Sequence, residues 1–386
     1  MKYIALIDCD SFFVSCEQKM NPKLKNKPVC VLSNKDGCVV SRSKEAKKVG
    51  VRMGQPYFMA KKEFPDVIYV SCNHELYGEI SEQIMNMLKN FSPKVQVYSV
   101  DEAFVDLTGL KKLYKMNYLE LAKHIRSEIK KELDIPVSIG VSSSKTLAKL
   151  ASDKSKKTEE GVYLIGKKKI DSVLKETKIE EIWGIGRKLT VTCKKLGILS
   201  AKDFVEKDDK YIDKYFGING LELKHELLGE MVSSVTNEEE IPKSIQKTSA
   251  FGIFTSDLDY IKNEINIHIH SACRKLRKIN CKAKTIGVML RTKDFRVLYD
   301  KITLNSPTSF EMDISDIAFK LLNNIYDKNT IYRSSGIILE NFQNNDNEQL
   351  FLFSDQNTDI KKENLSKCFD KLENKFGKNI IKIGFS

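Results

Sequence analysis

The sequence predicts an α+β chain: two separate β-α-β-β-α-β units joined by a helical segment. Three observations support this. Residues 2–141 alternate strand-period and helix-period runs in the order β-α-β-β-α-β, that of a ferredoxin-like split βαβ sheet. Residues 244–342 repeat the order. Between them, Ile170–Val235 reads as helical.

Lys2–Asp8 alternates and reads as the first strand. An insertion over residues 11–73 follows, with a short strand Val29–Leu32, a turn at Asn34–Gly37, and a helix through Ser43–Val49 ended by Gly50. In Glu75–Asn90, Leu76, Ile80, Ile84, Met87 and Leu88 recur at helical spacing. Val95–Val100 and Ala103–Leu107 form a hairpin, Tyr118–Leu133 a helix and Pro136–Val141 the last strand. In such a sheet the first strand lies beside the hairpin. Asp8 at its end therefore converges with Asp101 and Glu102 at the hairpin turn.

In the helical segment, EEIWGIGRKLTVTCKKLGI reads as a helix, a GxG turn at Gly184–Gly186, and a second helix. Asn237–Lys243 is a linker. The second unit then runs from strand Ser244–Phe251 into a helix with Ile261, Ile265, Ile269, Ala272, Leu276 and Ile279 on one face. Strands Thr285–Arg291 and Val297–Thr303, helix Ile314–Tyr326 and strand Gly336–Phe342 follow. A polar stretch, QNNDNE, leads to QLFLF and a last helix, Asn364–Phe376.

Composition narrows the class. A chain of 386 residues with 41% hydrophobic and 30% charged residues is globular, with room for several cores. No apolar run is long enough to span a bilayer, and MKYIALIDCD turns acidic too early for a signal peptide. Nine cysteines without a CxxC pair fit a reducing, cytoplasmic location. The net charge of +12 suggests a polyanionic partner. It is concentrated in two runs: Ser142–Lys169 has a surplus of five positive charges and Cys273–Arg296 a surplus of eight. Two such runs in separate units favour nucleic acid over a solvated surface.

Three carboxylates at strand ends near a basic face fit two Mg²⁺ ions, because oxygen ligands suit Mg²⁺. Two such ions would clamp the attacking and leaving oxygens of an in-line phosphoryl transfer. Asp101 and Glu102 alone would read as a turn cap. Asp8 on a neighbouring strand makes the metal reading the stronger one. His268 and His270 are two apart on a helix and point to different faces, so they do not form a metal site.

Five motifs in order, IALIDCDSFFVSCE, VCVLSNKDGCVVSRSKEAKKVGVRMG, VYSVDEAFVDLTG, IGVSSSKTLAKLA and WGIGRK, resemble the Y-family translesion DNA polymerases. LSNKDGCVV and IWGIGRK are most similar to the UmuC branch. The resemblance implies a ferredoxin-like palm over 1–10 and 74–169, small fingers over 11–73, and a helix-hairpin-helix thumb over 170–236. It further implies a second ferredoxin-like domain, the little finger, over 244–342, and a short C-terminal tail over 343–386. The implied activity is error-prone, template-directed DNA synthesis in the DNA-damage (SOS) response.

By position, Asp8, Asp101 and Glu102 match the metal-binding carboxylates, and Cys9 the residue whose backbone carbonyl completes a metal site. Phe12 and Phe13 match the pair at the incoming triphosphate, with Phe13 as the steric gate against a 2′-hydroxyl. Lys44, Lys47 and Lys156 match triphosphate contacts, and Cys38 and Val40 the small roof over the templating base. Gly184, Gly186, Arg187 and Lys188 match a thumb hairpin that holds DNA phosphates. Arg274, Lys275, Arg277, Lys278, Lys282, Lys284 and Arg291 are the little finger's candidate phosphate contacts. Gln349, Leu350, Leu352 and Phe353 resemble a sliding-clamp-binding peptide. The implied cofactor is Mg²⁺, two ions, with Mn²⁺ as a substitute. The implied partners are primer-template DNA, a dNTP, the sliding clamp, a UmuD-type subunit and a recombinase filament, with no membrane.

Other classes remain open at this stage: a DinB-type DNA polymerase IV, another two-metal palm enzyme such as a nucleotide cyclase, or a non-catalytic DNA-binding protein. The thumb turn, the basic second unit and QLFLF argue against a cyclase. The intact carboxylates argue against a non-catalytic role.

Overall fold

A computed structural model of the chain describes residues 2–33, 37–237, 241–344 and 356–377. It divides into two compact units, residues 1–238 and 239–386. No described helix is long and apolar enough to cross a membrane. The expected peptide at Gln349, Leu350, Leu352 and Phe353 lies outside the described residues, as do residues 34–36 of the expected turn.

The first unit opens with β1 (Ile4–Cys9), every residue of it buried, and α1 (Phe12–Met20). The insertion holds β2 (Val29–Leu32), β3 (Val39–Arg42), α2 (Lys44–Lys48), α3 (Tyr57–Glu63) and β4 (Ile68–Ser71). Next come α4 (His74–Phe91), β5 (Val95–Val97), β6 (Glu102–Asp106), α5 (Leu110–Tyr114), α6 (Tyr118–Leu133) and β7 (Val137–Ser142). The remainder is α7 (Lys145–Ser155), β8 (Val162–Leu164), α8 (Ile170–Glu176), α9 (Arg187–Lys195), α10 (Ala201–Val205) and α11 (Asp209–Leu227).

The main sheet has the order β5-β6-β1-β7-β8. Its first four strands are antiparallel neighbours, and β8 adds a parallel edge. The first strand therefore lies beside the hairpin, as its periodicity implied. Helices α4 and α6 bury Ile80, Ile84, Leu88, Leu121, Ile125 and Ile129 against the sheet. On the other face, α7 lies very close to β7: a methyl on Gly140 would overlap the backbone at Ala148 and Ser152. Only a residue without a Cβ permits that approach.

Three features differ from the sequence expectation. The insertion contains a separate three-stranded sheet, β3-β2-β4, where only Val29–Leu32 was expected as strand. The other strands are four residues long and only partly buried, too short to show a period. Second, α7 occupies part of the basic run, where the lysines obscured a helical apolar face. Third, a single 3₁₀ turn, Ile179–Glu181, leads into Gly184 where a full helix was expected. Ile179, Ile182 and Ile185 are all buried at spacings of three, which suits the three-residue turn.

The second unit comprises β9 (Ser244–Thr255), α12 (Leu258–Lys278), β10 (Cys281–Thr292), β11 (Val297–Thr308), α13 (Glu311–Ile325), β12 (Tyr332–Asn344) and α14 (Gln356–Phe376). The β-α-β-β-α-β order is kept, but the sheet order is β11-β10-β12-β9. In the main sheet, the slot skipped by the first crossover is filled by the third strand. Here the hairpin folds outward and the fourth strand takes the slot. Ile261, Ile265, Ile269, Ala272 and Leu276 line the core, as their spacing implied, with Ile286, Val288, Leu290, Ile337 and Leu339 from the sheet.

Candidate active site

Asp8 is the penultimate residue of β1 and Glu102 opens β6, and the two are direct partners across the antiparallel pair. Asp101 precedes β6, and its carbonyl accepts from the Cys9 N–H at 2.9 Å. Sheet register thus brings the three residues together in backbone. Their side chains take different partners. The Asp101 carboxylate accepts from the Ser99 hydroxyl at 2.7 Å, while Asp8 and Glu102 face a pair of lysines.

Those lysines stand seven residues apart on or just past α7, which puts them on one face. Lys149 donates to Glu102 and lies 3.7 Å from Asp8 Oδ2. Lys156 donates to Asp8 Oδ2 at 2.7 Å. Burial, with a hydrogen bond to Asp8, pushes the Glu102 carboxyl up to about 7, against the opposing pull of Lys149. Burial works against the Lys156 ammonium, but the charge and hydrogen bond of Asp8 outweigh it and hold Lys156 above the usual lysine range. Lys149 escaped the sequence reading. The signal available was its i, i+7 relation to Lys156.

Among the described residues, no three His, Cys, Asp or Glu side chains form a group that could hold a metal ion. The donor set nonetheless fits a hard divalent cation. It is all oxygen, it carries surplus negative charge, and ammonium groups meet that charge here. The Cys9 thiol is buried, and burial together with Asp101 pushes it well above the usual thiol range, so it packs as an inert side chain.

Beyond β1, Phe12 is buried in the main core. Phe13 stacks on Tyr77 of α4, centroids 4.5 Å apart and planes 15° from parallel. Tyr77, also unforeseen, is fixed in turn by donating to Glu17 at 2.7 Å. In the insertion, the Ser43 hydroxyl accepts from the Ala46 N–H and so caps α2. That helix carries Lys44, which is exposed, and Lys47, which donates to the Ser11 hydroxyl at 2.9 Å. Burial and the Arg42 guanidinium hold Lys47 below the usual lysine value. Cys38 is exposed and Val40 half-buried.

Gly184, at φ +96°, turns the chain so that Gly186 can begin α9. No side chain caps that helix start, and Gly184, Gly186, Arg187 and Lys188 are all exposed. Its N–H groups are therefore open to an anion.

In the second unit the structure pairs three of the seven candidate phosphate contacts with acids of the chain itself. Arg277 is held by Asp370 at 2.7 and 2.8 Å and by Glu311 at 3.0 Å. Arg274 lies 3.2 Å from Glu373, and Lys282 3.0 Å from Glu363. Asp370, Glu373 and Glu363 all belong to α14, so these three cations dock that helix. A residue count along the strand of positive charge could not reveal partners ninety positions away. Lys275 and Lys278 are exposed, and Lys284 and Arg291 half-buried. His268 is buried beside Ser249, whereas His270 meets Glu311 and Glu373 at 2.9 Å each, so the two do point apart.

Residues 7–153 match the family model described as impB/mucB/samB family, and residues 242–352 match its C-terminal domain. The chain is 32% identical to Protein UmuC of Salmonella typhimurium, covering 98% of this chain and 92% of that protein. It is 30% identical to DNA polymerase IV of Bacillus velezensis, covering 98% and 91%. Among solved structures, a Y-family DNA polymerase chimera of Dbh and Dpo4 superposes with a TM-score of 0.73 at 29% identity, over 89% of this chain and all of that one. An insertion ternary complex of Dbh DNA polymerase superposes with a TM-score of 0.62 at 28% identity, with the same coverage.

Proposed function

The chain belongs to the impB/mucB/samB family and is an error-prone, DNA-directed DNA polymerase of the Y family, and on that premise we propose how its residues divide the reaction. Asp8, Asp101 and Glu102 are the catalytic carboxylates. The observation that carries this reading is the register pairing of Asp8 with Glu102, at strand ends, under two lysines.

Two Mg²⁺ ions held by these carboxylates and the Cys9 carbonyl would supply charge neutralisation and activation of the primer 3′-hydroxyl. The chain's own groups do the rest. Lys156 and Lys47 reach toward the triphosphate of the incoming dNTP, and the Phe12–Phe13 backbone supports it. Lys44, exposed, contributes charge alone. Phe13, held flat by Tyr77, leaves no space for a 2′-hydroxyl. Cys38 and Val40 form a small roof that grips the templating base loosely, so shape selection is weak.

The proposed division is palm over 1–10 and 74–169, fingers over 11–73, thumb over 170–236, linker over 237–243, little finger over 244–342 and tail over 343–386. The α9 start with Gly184, Gly186, Arg187 and Lys188 binds phosphate on the thumb side. Lys275, Lys278, Lys284 and Arg291 serve the little finger. Gln349, Leu350, Leu352 and Phe353 are proposed to bind a sliding clamp, and a UmuD-type subunit and a recombinase filament complete the proposed partners. Primer extension by the purified chain, with dNTPs and Mg²⁺ and without a metal as control, tests the reading. Metal-dependent, template-directed extension supports it, and none overturns it.

A further inference from the structure

At one end of the second unit's sheet, β9 and β12 fall out of register. Ser334 pairs with Ala250 and Tyr332 with Thr255, so the single residue Arg333 faces the four residues 251–254. A bulge of that kind re-aims side chains. Phe251 turns into the core, while Ile253 and Phe254 turn outward, 69% and 50% exposed. The β10–β11 hairpin brings a second ring to the same place. Phe295, 64% exposed, sits there at φ +68°, a conformation costly to any residue with a Cβ. The Arg333 guanidinium lies 3.8 Å from the Phe295 ring centre and 5.4 Å from that of Phe254.

Two exposed rings braced by one planar cation, one of them held in a strained backbone, are poor choices for a merely solvated loop. The bracing arginine orients both rings. The neighbours add charge, with Lys293 and Arg296 beside Asp294 in the same hairpin. A protein partner's apolar surface would have to desolvate these cations without compensation. A nucleic-acid strand satisfies both features, because its phosphates meet the cations and every base offers a π-face to a ring.

We propose that Phe254, Phe295 and Arg333 form a stacking site for an unpaired base of single-stranded DNA. The inference rests on the polymerase reading, and it adds a contact to single-stranded DNA that no carboxylate or phosphate contact supplies.

The test uses the full chain and two DNAs, a blunt duplex and the same duplex with a 5′ single-stranded overhang carrying 2-aminopurine. The wild type is expected to bind the overhang DNA more tightly and to quench the 2-aminopurine. Phe254→Ala and Phe295→Gly are each expected to weaken overhang binding about tenfold and to remove the quenching, with blunt-duplex affinity unchanged. Glycine suits the backbone at 295, so that variant folds at least as well as the parent. Phe295→Trp is expected to restore quenching. Unchanged overhang binding and quenching in both variants would overturn the site and leave the polymerase reading standing, as would an equal loss on both DNAs. Altered sedimentation of the free protein with unchanged DNA affinity would assign the patch to self-association and overturn it too. Wild-type failure to bind either DNA would overturn both readings together.

Discussion

The ring of Phe13 lies flat against the ring of Tyr77, 4.5 Å between centroids, and the Tyr77 hydroxyl is tied to Glu17. A gate works by being rigid, and this stack fixes the Phe13 ring before any nucleotide arrives. Phe13→Ala is expected to raise the ratio of ribonucleotide to deoxyribonucleotide incorporation at least about tenfold, the scale of a single steric contact. Tyr77→Ala is expected to raise it less, and Tyr77→Phe hardly at all. Parallel single-nucleotide insertion assays with rNTP and dNTP decide this. Unchanged ribonucleotide use in Phe13→Ala would make Phe13 a core residue.

Asp101→Asn and Glu102→Gln keep shape and remove a ligand charge. Each is expected to slow nucleotide transfer roughly a thousandfold, the equivalent of a few kcal/mol of lost charge stabilisation. Duplex binding and the thermal midpoint are expected to stay near the parent's. Extension at near-parental rate in either variant would remove the metal assignment.

The seven candidate cations of the second unit separate into two groups with opposite signatures. Lys275→Ala and Lys278→Ala are each expected to lower the slope of log affinity against log salt by about one, for all sequences alike. Arg277→Ala leaves the half-buried Asp370 without this partner and the buried Glu311 with His270 alone. It is expected to cost about 3–5 kcal/mol of stability with the salt slope of the folded protein unchanged. Denaturation and salt titration of the same variants separate the groups.

His268 gives the second unit an acid limit. Burial, and the charge of Lys247, lower its pKa from the usual 6.5 to about 4. The unfolded chain therefore takes up the proton first. The neutral side chain's contribution is intact above pH 6.5, is lost progressively as pH falls to about 4, and amounts to about 3 kcal/mol in all. His270 has the opposite sense. The hydrogen bond it donates to Glu311 raises it, so its contribution is full below pH 6.5 and fades as pH rises through its raised value. His268→Gln is expected to flatten the decline between pH 6.5 and 4 in urea titrations. A decline as steep as the parent's would place its cause elsewhere.

Leu352→Ala with Phe353→Ala is expected to leave single-nucleotide insertion intact and to abolish stimulation of extension by the clamp. Two apolar anchors carry most of a short peptide's affinity. Stimulation persisting in the double variant would remove the clamp peptide.

How far the sequence could be read depended on the range of the interaction. Tyr118–Leu133 was legible to the residue because its apolar period is uninterrupted and Asn117 with Glu120 forms a capping box. The adjacency of Asp8 and Glu102 was legible because β-strand order makes neighbours of residues distant in sequence. The turn of the Asp101 side chain to Ser99 was not, since a hydroxyl two residues away leaves no pattern. Lys149 was hidden for a different reason: within a run of lysines, composition says that charge is present but not which ammonium a carboxylate will choose. The ion pairs of Arg274, Arg277 and Lys282 were hidden for the same reason. Their partners lie on α14, and only the folded chain brings those acids to them.

Gly140 sets a clearance. Its missing side chain lets α7 rest directly on β7, and the reach of Lys149 and Lys156 to the carboxylates starts from that height. The sheet fixes where the acids stand, so any thickening at 140 would lift both cations together and in the same direction. The two lysines therefore share one mechanical origin although they sit on different acids. Tolerances at the reacting end of the enzyme are set by a single hydrogen atom on the face of β7 that α7 covers.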